Sequence, residues 1–295
     1  MPVSIAARGA VGIRKEASFA SGGTIDSWQI VESANLRHTK SYIYQDRIRN
    51  TPEQFGGQFS HNIVSGQVVF PVTPTNPTQW WECGIGGSGP YTPAIPLSSL
   101  AIEIQEGQIA TVSSSGDMIA RLELASRKGD ILRCTADIEG ADLSNRLTAT
   151  TTTFASGDDA YLHSECTFTL DGAANNDVES FSVVKENNLI TDLYGNTPRR
   201  REIPATKAQV TGTMTMLFSD TTMRNRFMNQ LPSRISANYV RGSRSFLIEL
   251  NNVNYDVDDR PLEGQTNFIL ETLNFTAYVN DPSAQNSIKL TVDTV

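Results

Sequence analysis

Residues 84–89 have the spacing G-x-G-x-x-G, which binds phosphate where it connects a strand to the start of a helix. In this chain the motif follows a predicted helix and runs into Pro90, Pro93 and Pro96. The motif therefore does not lead into a helix N-terminus that could bind a phosphate group. We do not expect nucleotide binding.

An acidic cluster near the C-terminus has the chemistry of a calcium site, because calcium prefers hard oxygen ligands. Its members are Asp256, Asp258, Asp259 and Glu263. Their spacing does not match an EF-hand loop. We interpret the cluster as a solvated acidic turn between strands, and whether it binds a cation stays open.

The remaining reactive residues do not form a recognisable catalytic or metal-binding set. Cys83, Cys134 and Cys166 are odd in number and far apart, which favours buried thiols over disulfides or a zinc site. His38 and His61 have no neighbouring ligand types. No Ser or Cys lies in a known nucleophile motif. The sequence predicts no enzyme, no cofactor and no metal.

Two long segments, 36–64 and 183–210, are basic although the whole chain is acidic. Each carries a charge of +2 and the chain carries −8, so the remainder carries −12. Basic arms on an acidic body suit docking onto copies of the same chain, while two solvated loops with incidental charge are the alternative. The basic residues that we expect at such contacts are Arg37, Lys40, Arg47, Arg49, Lys185, Arg199, Arg200 and Arg201.

The chain repeats itself, which explains why the arms occur twice. A shift of 146 positions aligns residues 50–104 with residues 196–250 without a gap. The alternating apolar residues 68, 70 and 72 fall on residues 214, 216 and 218, a pattern typical of half-buried strands. We predict two tandem domains, 1–150 and 151–295, with a polar linker at 148–157.

Strands dominate both predicted domains, and each domain has one helix. In the first, Asn76 is the expected N-cap, with Trp81 facing the core and Trp80 less buried. In the second, the helix begins near Ser219 or Asp220 and ends before Pro232. The predicted fold class is mainly β.

The order of these patterns resembles the major tail tube proteins of long-tailed bacteriophages, in the form where one polypeptide contains two tube domains. The resemblance covers most of the chain. The passages that carry it are residues 128–132, 136–140, 166–172, 178–182, 186–189 and 211–214.

The resemblance implies two tandem repeats of a β-sandwich or part-barrel, each with one flanking α-helix. It implies trimeric rings with pseudo-sixfold symmetry, stacked through the two basic segments, and inner sheets that close into a continuous β-barrel. The channel of the stacked rings would conduct double-stranded DNA without binding it specifically. The implied protein partners are the chain itself and the tail terminator, tape measure and baseplate proteins. The expected location is the virion tail, after synthesis in the bacterial host cytoplasm, with no membrane partner.

A channel for DNA should present carboxylates and hydroxyls, because each Lys or Arg that pairs with a phosphate releases counterions and binds the DNA. The sequence offers two candidate sets on polar strand faces. At least one should face the channel, although an outer solvated face is the alternative. The sets are Glu103, Glu249, Gln67, Thr213 and Thr215, and separately Glu165, Thr167 and Thr169.

A second class of function is a β-rich baseplate or receptor-contact module, or a carbohydrate-binding sandwich. A sugar binder would expose several aromatic side chains on a loop face and has no need for matched basic arms. A calcium-dependent hydrolase is a more remote alternative.

Overall fold

Antiparallel strands form most of the chain, and the described residues contain sixteen of them in one hydrogen-bonded sheet. The computed structural model describes residues 9–45, 53, 55–107, 110–146, 152, 154, 159–219, 221–259, 268–280 and 286–293. The mainly β fold class is confirmed.

The first half of the chain contains eight strands and a short helix. They are β1 (Ala10–Lys15), β2 (Ser27–Gln29), β3 (Ser33–Gln45), β4 (Phe55–Pro71), α1 (Gln79–Gly84), β5 (Leu100–Glu106), β6 (Ala110–Arg127), β7 (Arg133–Gly140) and β8 (Asp142–Arg146).

The second half has the same number of strands and one helix. A 3-10 turn at His163–Glu165 precedes the first of these strands. The strands and the helix are β9 (Cys166–Leu170), β10 (Ala173–Asn175), β11 (Val178–Glu186), β12 (Gln209–Leu217), α2 (Thr222–Met228), β13 (Ser233–Arg241), β14 (Arg244–Asp259), β15 (Leu270–Ala277) and β16 (Lys289–Val292).

The strands pair in the same order in both halves. β1 pairs with β2 and β5, and β9 pairs with β10 and β13. β4 lies between β3 and β7, as β12 lies between β11 and β15. β6 pairs with β7 and β8, as β14 pairs with β15 and β16. In both halves the helix lies between the fourth and fifth strands.

β6 and β14 are long strands that take part in two layers. Their C-terminal parts belong to a long sheet with the order β3, β4, β7, β6, β11, β12, β15, β14. Their N-terminal parts belong to two short sheets, β2-β1-β5-β6-β8 and β10-β9-β13-β14-β16. Apolar side chains of the long sheet and of the two short sheets enter one buried cluster.

The described strands do not close into a barrel within one chain. The path through the sheet ends at β10 and at β2, which do not pair with each other. The expectation of a β-barrel is therefore wrong for the single chain, and a closed barrel needs more than one copy. Within the described residues, no helix has the length and apolar character to cross a bilayer.

The two halves, which we predict as tandem domains, share a core. A single cluster of buried apolar side chains includes residues of both halves. Trp81 packs edge to face on Phe246, with ring centroids 5.2 Å apart. β6 is hydrogen-bonded directly to β11, so the long sheet continues from one half into the other. Burial across this junction stabilises both halves together.

The shift of 146 positions holds at β4 and β12 but not after the helices. Beyond them, β5 and β13 take the same place in the pairing order. Glu103 therefore corresponds to Ser236, and the match of Glu103 with Glu249 is wrong. The connection from α1 to β5, residues 85–99, is longer than that from α2 to β13, residues 229–232, so a constant shift cannot continue.

The first helix begins later than its sequence signals indicate. Thr78 occupies the N-cap position, whereas the Asn76 side chain accepts a hydrogen bond from the Thr73 backbone at 2.5 Å. Trp80 and Trp81 are both fully buried, so the prediction of a less buried Trp80 is wrong. Neither ring is available as a platform for a sugar.

Asp117 is a fully buried carboxyl group in β6, at the point where the register with β5 shifts. Its side chain accepts a hydrogen bond from the Ser114 hydroxyl, and buried Glu16 lies nearby. Burial raises the pKa of Asp117 from 3.8 to about 8, with a further rise from the negative charge of Glu16, although the Ser114 bond lowers it. The folded protein therefore holds this proton at neutral pH.

This burial predicts that stability falls as pH rises between about 4 and 8. The folded chain keeps the proton across that range, while the unfolded chain releases it near pH 4. Asp117→Asn should remove this dependence and raise the free energy of unfolding at pH 9 by more than about 1 kcal/mol. Urea titrations at pH 5 and pH 9 measure the effect, and exposed Asp192→Asn is the control. Equal pH dependence in wild type and Asp117→Asn contradicts the prediction.

Candidate assembly surfaces and polar sheet face

The long sheet has one apolar face and one polar face. Side chains that are directly paired between strands point to the same side of a sheet, so the register identifies each face. The core side carries residues such as Val68, Ala136, Leu122 and Met214. The polar face carries Gln67, Arg121, Glu123, Asp137, Thr213, Thr215, Thr272 and Asn274.

Hydrogen bonds and ion pairs connect neighbouring strands across the polar face. Arg121 lies between two carboxylates, with N–O distances of 2.6 Å to Glu123 and 3.5 Å to Asp137. The Gln67 amide donates to Asp137 at 2.7 Å. In the second half the Thr213 hydroxyl donates to Asn274 at 2.9 Å. The face is thus rich in hydroxyls and carboxylates, and its Arg121 is neutralised by its neighbours. The register also places Arg37, Arg127 and Arg133 on this face, of which Arg133 is paired with Glu32 and Asp130.

The structure divides the first set of candidate channel residues. Gln67, Thr213 and Thr215 all lie on the polar face of the long sheet. Glu103 does not lie on an open face, because it is 1% exposed. Its direct partner Gly12 is covered by Ile25 and Trp28, so the segment before β2 lies over this side of β5. Glu103 is therefore not a channel residue in this fold.

Glu249 lies on the second short sheet, away from the core, between two basic side chains. Its carboxylate accepts hydrogen bonds from Arg234 and from Lys289, at 2.5 and 2.8 Å. Desolvation raises its pKa, but the bonds to Lys289 and Arg234 outweigh this, so the pKa lies below the ordinary value. Glu249 remains ionised and serves to join β13, β14 and β16.

The second candidate set also belongs to the second short sheet. Thr167 is exposed, and Thr169 shares a hydrogen bond with Ser236 on β13. Glu165 is in the 3-10 turn, where its carboxylate accepts the Leu162 backbone N–H at 3.0 Å. Gln67, Thr213 and Thr215 lie on the long sheet and do not share a face with this second set. Glu249 does share its face, because Ser236 pairs with both Thr169 and Glu249.

Several residues of the polar face were absent from the sequence prediction. Glu123, Asp137, Thr272 and Asn274 alternate with core residues along β6, β7 and β15. The same period of two that identified Gln67 contains this signal. It does not show that these strands are neighbours, because strand order depends on long-range pairing.

The second basic segment does not project from the molecule. Residues 187–208 form an arm that folds back onto the first half. The Asn62 backbone N–H donates to the Pro198 carbonyl at 2.8 Å, and the Tyr194 ring lies 4.6 Å from the His61 ring. We call this segment the second arm.

Arg200 holds the second arm in place. Its guanidinium donates to the Glu139 carboxylate at 2.8 Å and to the Gly140 carbonyl at 2.9 Å, and it is 6% exposed. The neighbouring Arg199 forms an ion pair with Asp142 at 3.1 Å. Arg201 is exposed. Arg200 was predicted at contacts between copies, but in this fold it is buried inside one chain.

Lys185 is also buried, at 2% exposure, and its position on β11 removes it from any projecting arm. Its ammonium group donates to the Gly84 carbonyl at 3.0 Å and to the Asn187 side chain. Burial lowers the pKa of Lys185 to about 8. Lys185 therefore ties the second half to the C-terminal end of α1 rather than to another molecule.

The first basic segment does extend beyond the sheet. Residues 55–63 of β4 pair only with β3, and pairing with β7 begins at Val64. This part of the β3–β4 hairpin, which we call the first arm, exposes Tyr42, Ile43, Tyr44 and Phe59. Arg37 and Lys40 lie on β3, whereas Arg47 and Arg49 lie outside the described residues.

The acidic cluster is not a turn. Asp256, Asp258 and Asp259 belong to β14, and Glu263 lies outside the described residues. The Asp256 carboxylate accepts the Thr276 hydroxyl at 2.6 Å. Within the described part of the chain, no group of three or more His, Cys, Asp or Glu side chains is arranged to hold a metal ion.

Comparison with known proteins identifies the family. The family model described as Phage tail tube protein matches residues 6–277, which is most of the chain. The chain matches no curated protein in the corresponding comparison.

The geometry of Arg200 predicts that Arg200→Ala releases the second arm from the first half. The change removes an ion pair and leaves the Gly140 carbonyl without this donor, which should cost about 1–3 kcal/mol of stability. Amide hydrogen exchange in residues 193–204 should become faster. The matched control is Arg201→Ala, which removes an exposed guanidinium from the same segment. Unchanged amide exchange in Arg200→Ala, or equal acceleration in both variants, argues against the role of Arg200 in holding the second arm on the first half.

Proposed function

The chain belongs to the phage tail tube protein family, and we propose that it polymerises as stacked rings that enclose a channel for genome ejection. The family supports a structural role in the virion tail. The long sheet of eight strands is the observation that carries the finer proposal, because one of its faces is buried and the other is polar. Such a sheet is suited to line a wet channel once it is closed.

The ring is proposed to contain three chains. Three copies of the long sheet give about 24 strands, enough for a barrel with an open lumen. The same pairing order in both halves supports two tube domains, 1–150 and 151–295, and hence pseudo-sixfold symmetry in a trimer. Closure removes exposed sheet edges, which otherwise attract other chains.

The polar face of the long sheet is proposed to line the channel. It offers hydroxyl, amide and carboxylate groups, and Arg121 is paired with Glu123 and Asp137. Arg133 on the same face is paired with Glu32 and Asp130, so Arg37 and Arg127 are the remaining arginines of this face that a passing phosphate backbone can contact. Double-stranded DNA is then a passing cargo rather than a ligand, and no catalytic step is required.

Ring stacking is assigned to the first arm, because it extends beyond the sheet and exposes apolar side chains. Head-to-tail contacts that do not close produce an open filament, as a tube requires. Arg201, Arg47 and Arg49 remain candidate contacts between rings. The partners at the ends and inside of the tube are proposed to be the tail terminator, baseplate and tape measure proteins.

Electron microscopy of the purified protein and of the virion tests the assembly. We expect rings that stack into tubes, with a ring mass of three chains by light scattering or native mass spectrometry. This expectation follows from the two unclosed edges of the long sheet, which need partners from other copies. A chain that stays monomeric at high concentration and forms no rings in the virion contradicts the proposal.

Lysines on the polar face should slow DNA passage without preventing assembly. Gln67→Lys with Thr213→Lys places two cations there, and each can pair with a phosphate. We expect tubes of normal length and incomplete genome ejection that improves at higher salt. The control is Thr167→Lys, on the exposed side of the second short sheet. If the control slows ejection as much, or the paired variant has no effect, the channel assignment fails.

A further inference from the structure

We propose that the ring closes by antiparallel pairing of β3 in one copy with the C-terminal end of β14 in a second copy, in the register that joins β6 to β11 inside each chain. This inference rests on the proposed tube function and adds the strands, the register and the charges. The pairing of β6 with β11 at the junction between the halves supplies the geometry for this contact between copies.

Inside the chain, β6 and β11 pair over seven positions, from Ser180 with Arg127 to Glu186 with Arg121. Just beyond this pairing, the Asn187 backbone N–H donates to the Ala120 carbonyl at 2.8 Å. Ala120 is the extra residue of a β-bulge between Ile119 and Arg121. This junction connects an edge of the first half to an edge of the second.

β14 reproduces the edge that β6 offers. Both strands follow the fifth strand of their half, and both pair next with β7 or β15. In β14 the register also shifts once, between Tyr255 and Val257, so Asp256 holds the place of Ala120. A shared bulge gives the two strands the same local bend and twist at the edge.

β3 reproduces the edge that β11 offers. Leu36 pairs with Gly66, as Val183 pairs with Gly212. At both glycines an added Cβ meets a carbonyl oxygen of the adjacent strand, that of Asn35 at 2.1 Å and that of Ser182 at 2.4 Å. The two strands within each pair, β3 with β4 and β11 with β12, are therefore similarly close at this glycine. Only glycine fits at this crossing point.

The outer edges of β3 and β14 are the two edges of the long sheet that have no neighbour among the described strands. Among the described strands, β3 pairs only with β4, and the end of β14 beyond Tyr255 pairs only with β15. An edge of this kind has backbone N–H and C=O groups directed at its missing neighbour. The outer edge of β14 corresponds to that of β6, and the outer edge of β3 corresponds to that of β11. The β14 edge therefore matches the β3 edge of another copy, as β6 matches β11, and neither edge matches itself.

The template fixes the register between copies. Glu186 pairs with Arg121, so Thr39 is opposite Val257 of the second copy. Val184 pairs with Glu123, so Arg37 is opposite position 259. The Lys40 backbone N–H then donates to the Asp256 carbonyl, as Asn187 donates to Ala120.

The charges of the two edges are opposite. β3 carries Arg37 and Lys40 near the contact, and the end of β14 carries aspartates at 256, 258 and 259. Opposite charges directly across an antiparallel pair stabilise it, and like charges destabilise it. The acidic cluster thereby gains a role in choosing the partner edge, and Arg37 and Lys40 act within a ring rather than between rings.

Disulfide trapping tests the register. Cysteines at directly opposed positions have Cβ atoms about 4.5–5.5 Å apart, close enough to oxidise with small adjustments. Tubes of Thr39→Cys with Val257→Cys, assembled under reducing conditions and then oxidised, should give covalent trimers on non-reducing gels. The control pairs Val257→Cys with Asn35→Cys, which lies about 13 Å further along the same strand and should not cross-link.

Charge reversal tests the complementarity independently. Arg37→Asp or Asp259→Arg alone should lower the yield of rings at least several-fold, and the double variant should restore it. Tubes that form without a Thr39–Val257 cross-link, or a double variant no better than the singles, overturn this inference while leaving the tube function intact. A wild-type chain that forms no rings contradicts the tube function itself.

Discussion

The backbone hydrogen bonds at the edges of a β-sheet are the constraint on which this structure depends. A strand at an edge has donors and acceptors that only another strand can satisfy in regular order. β11 pairs with the donors and acceptors at the edge of β6, so strands of the two halves form one continuous long sheet. The outer edges of this long sheet then lie at β3 and at the end of β14, where another copy can continue the pairing.

Buried polar groups fix how the two halves meet. Lys185 and Asn187 both donate to the Gly84 carbonyl, and Asn187 also donates to the Ile119 carbonyl at 2.7 Å. Burying such groups is costly unless they find partners, so the junction tolerates few alternative arrangements. Arg200 fixes the second arm in the same way. These basic residues, which suggested contacts between molecules, instead determine the geometry of one molecule.

The two arms have similar sequence features but different positions in the fold. Both segments are long, basic and in matching places, and these properties are readable from the sequence. The first arm extends beyond the sheet, while the second lies on the neighbouring half. The reason is that the second arm has ion-pair partners within the chain at Glu139 and Asp142. The first arm contacts the second arm at His61 and Asn62, but its side chains at positions 42–44 and 59 are exposed.

The sequence by itself determined the mainly β fold, the matching strands β4 and β12, and the polar positions Gln67, Thr213 and Thr215. These features depend on local periodicity, which survives in any strand that has one buried face. The burial of Glu103 and the place of Glu249 were decided only by the tertiary structure. Alternation assigns a side chain to a face, but it does not show which segment covers that face or which strand lies beside it. Those choices depend on pairing between distant residues and on connection lengths, and they become fixed only when the whole sheet forms.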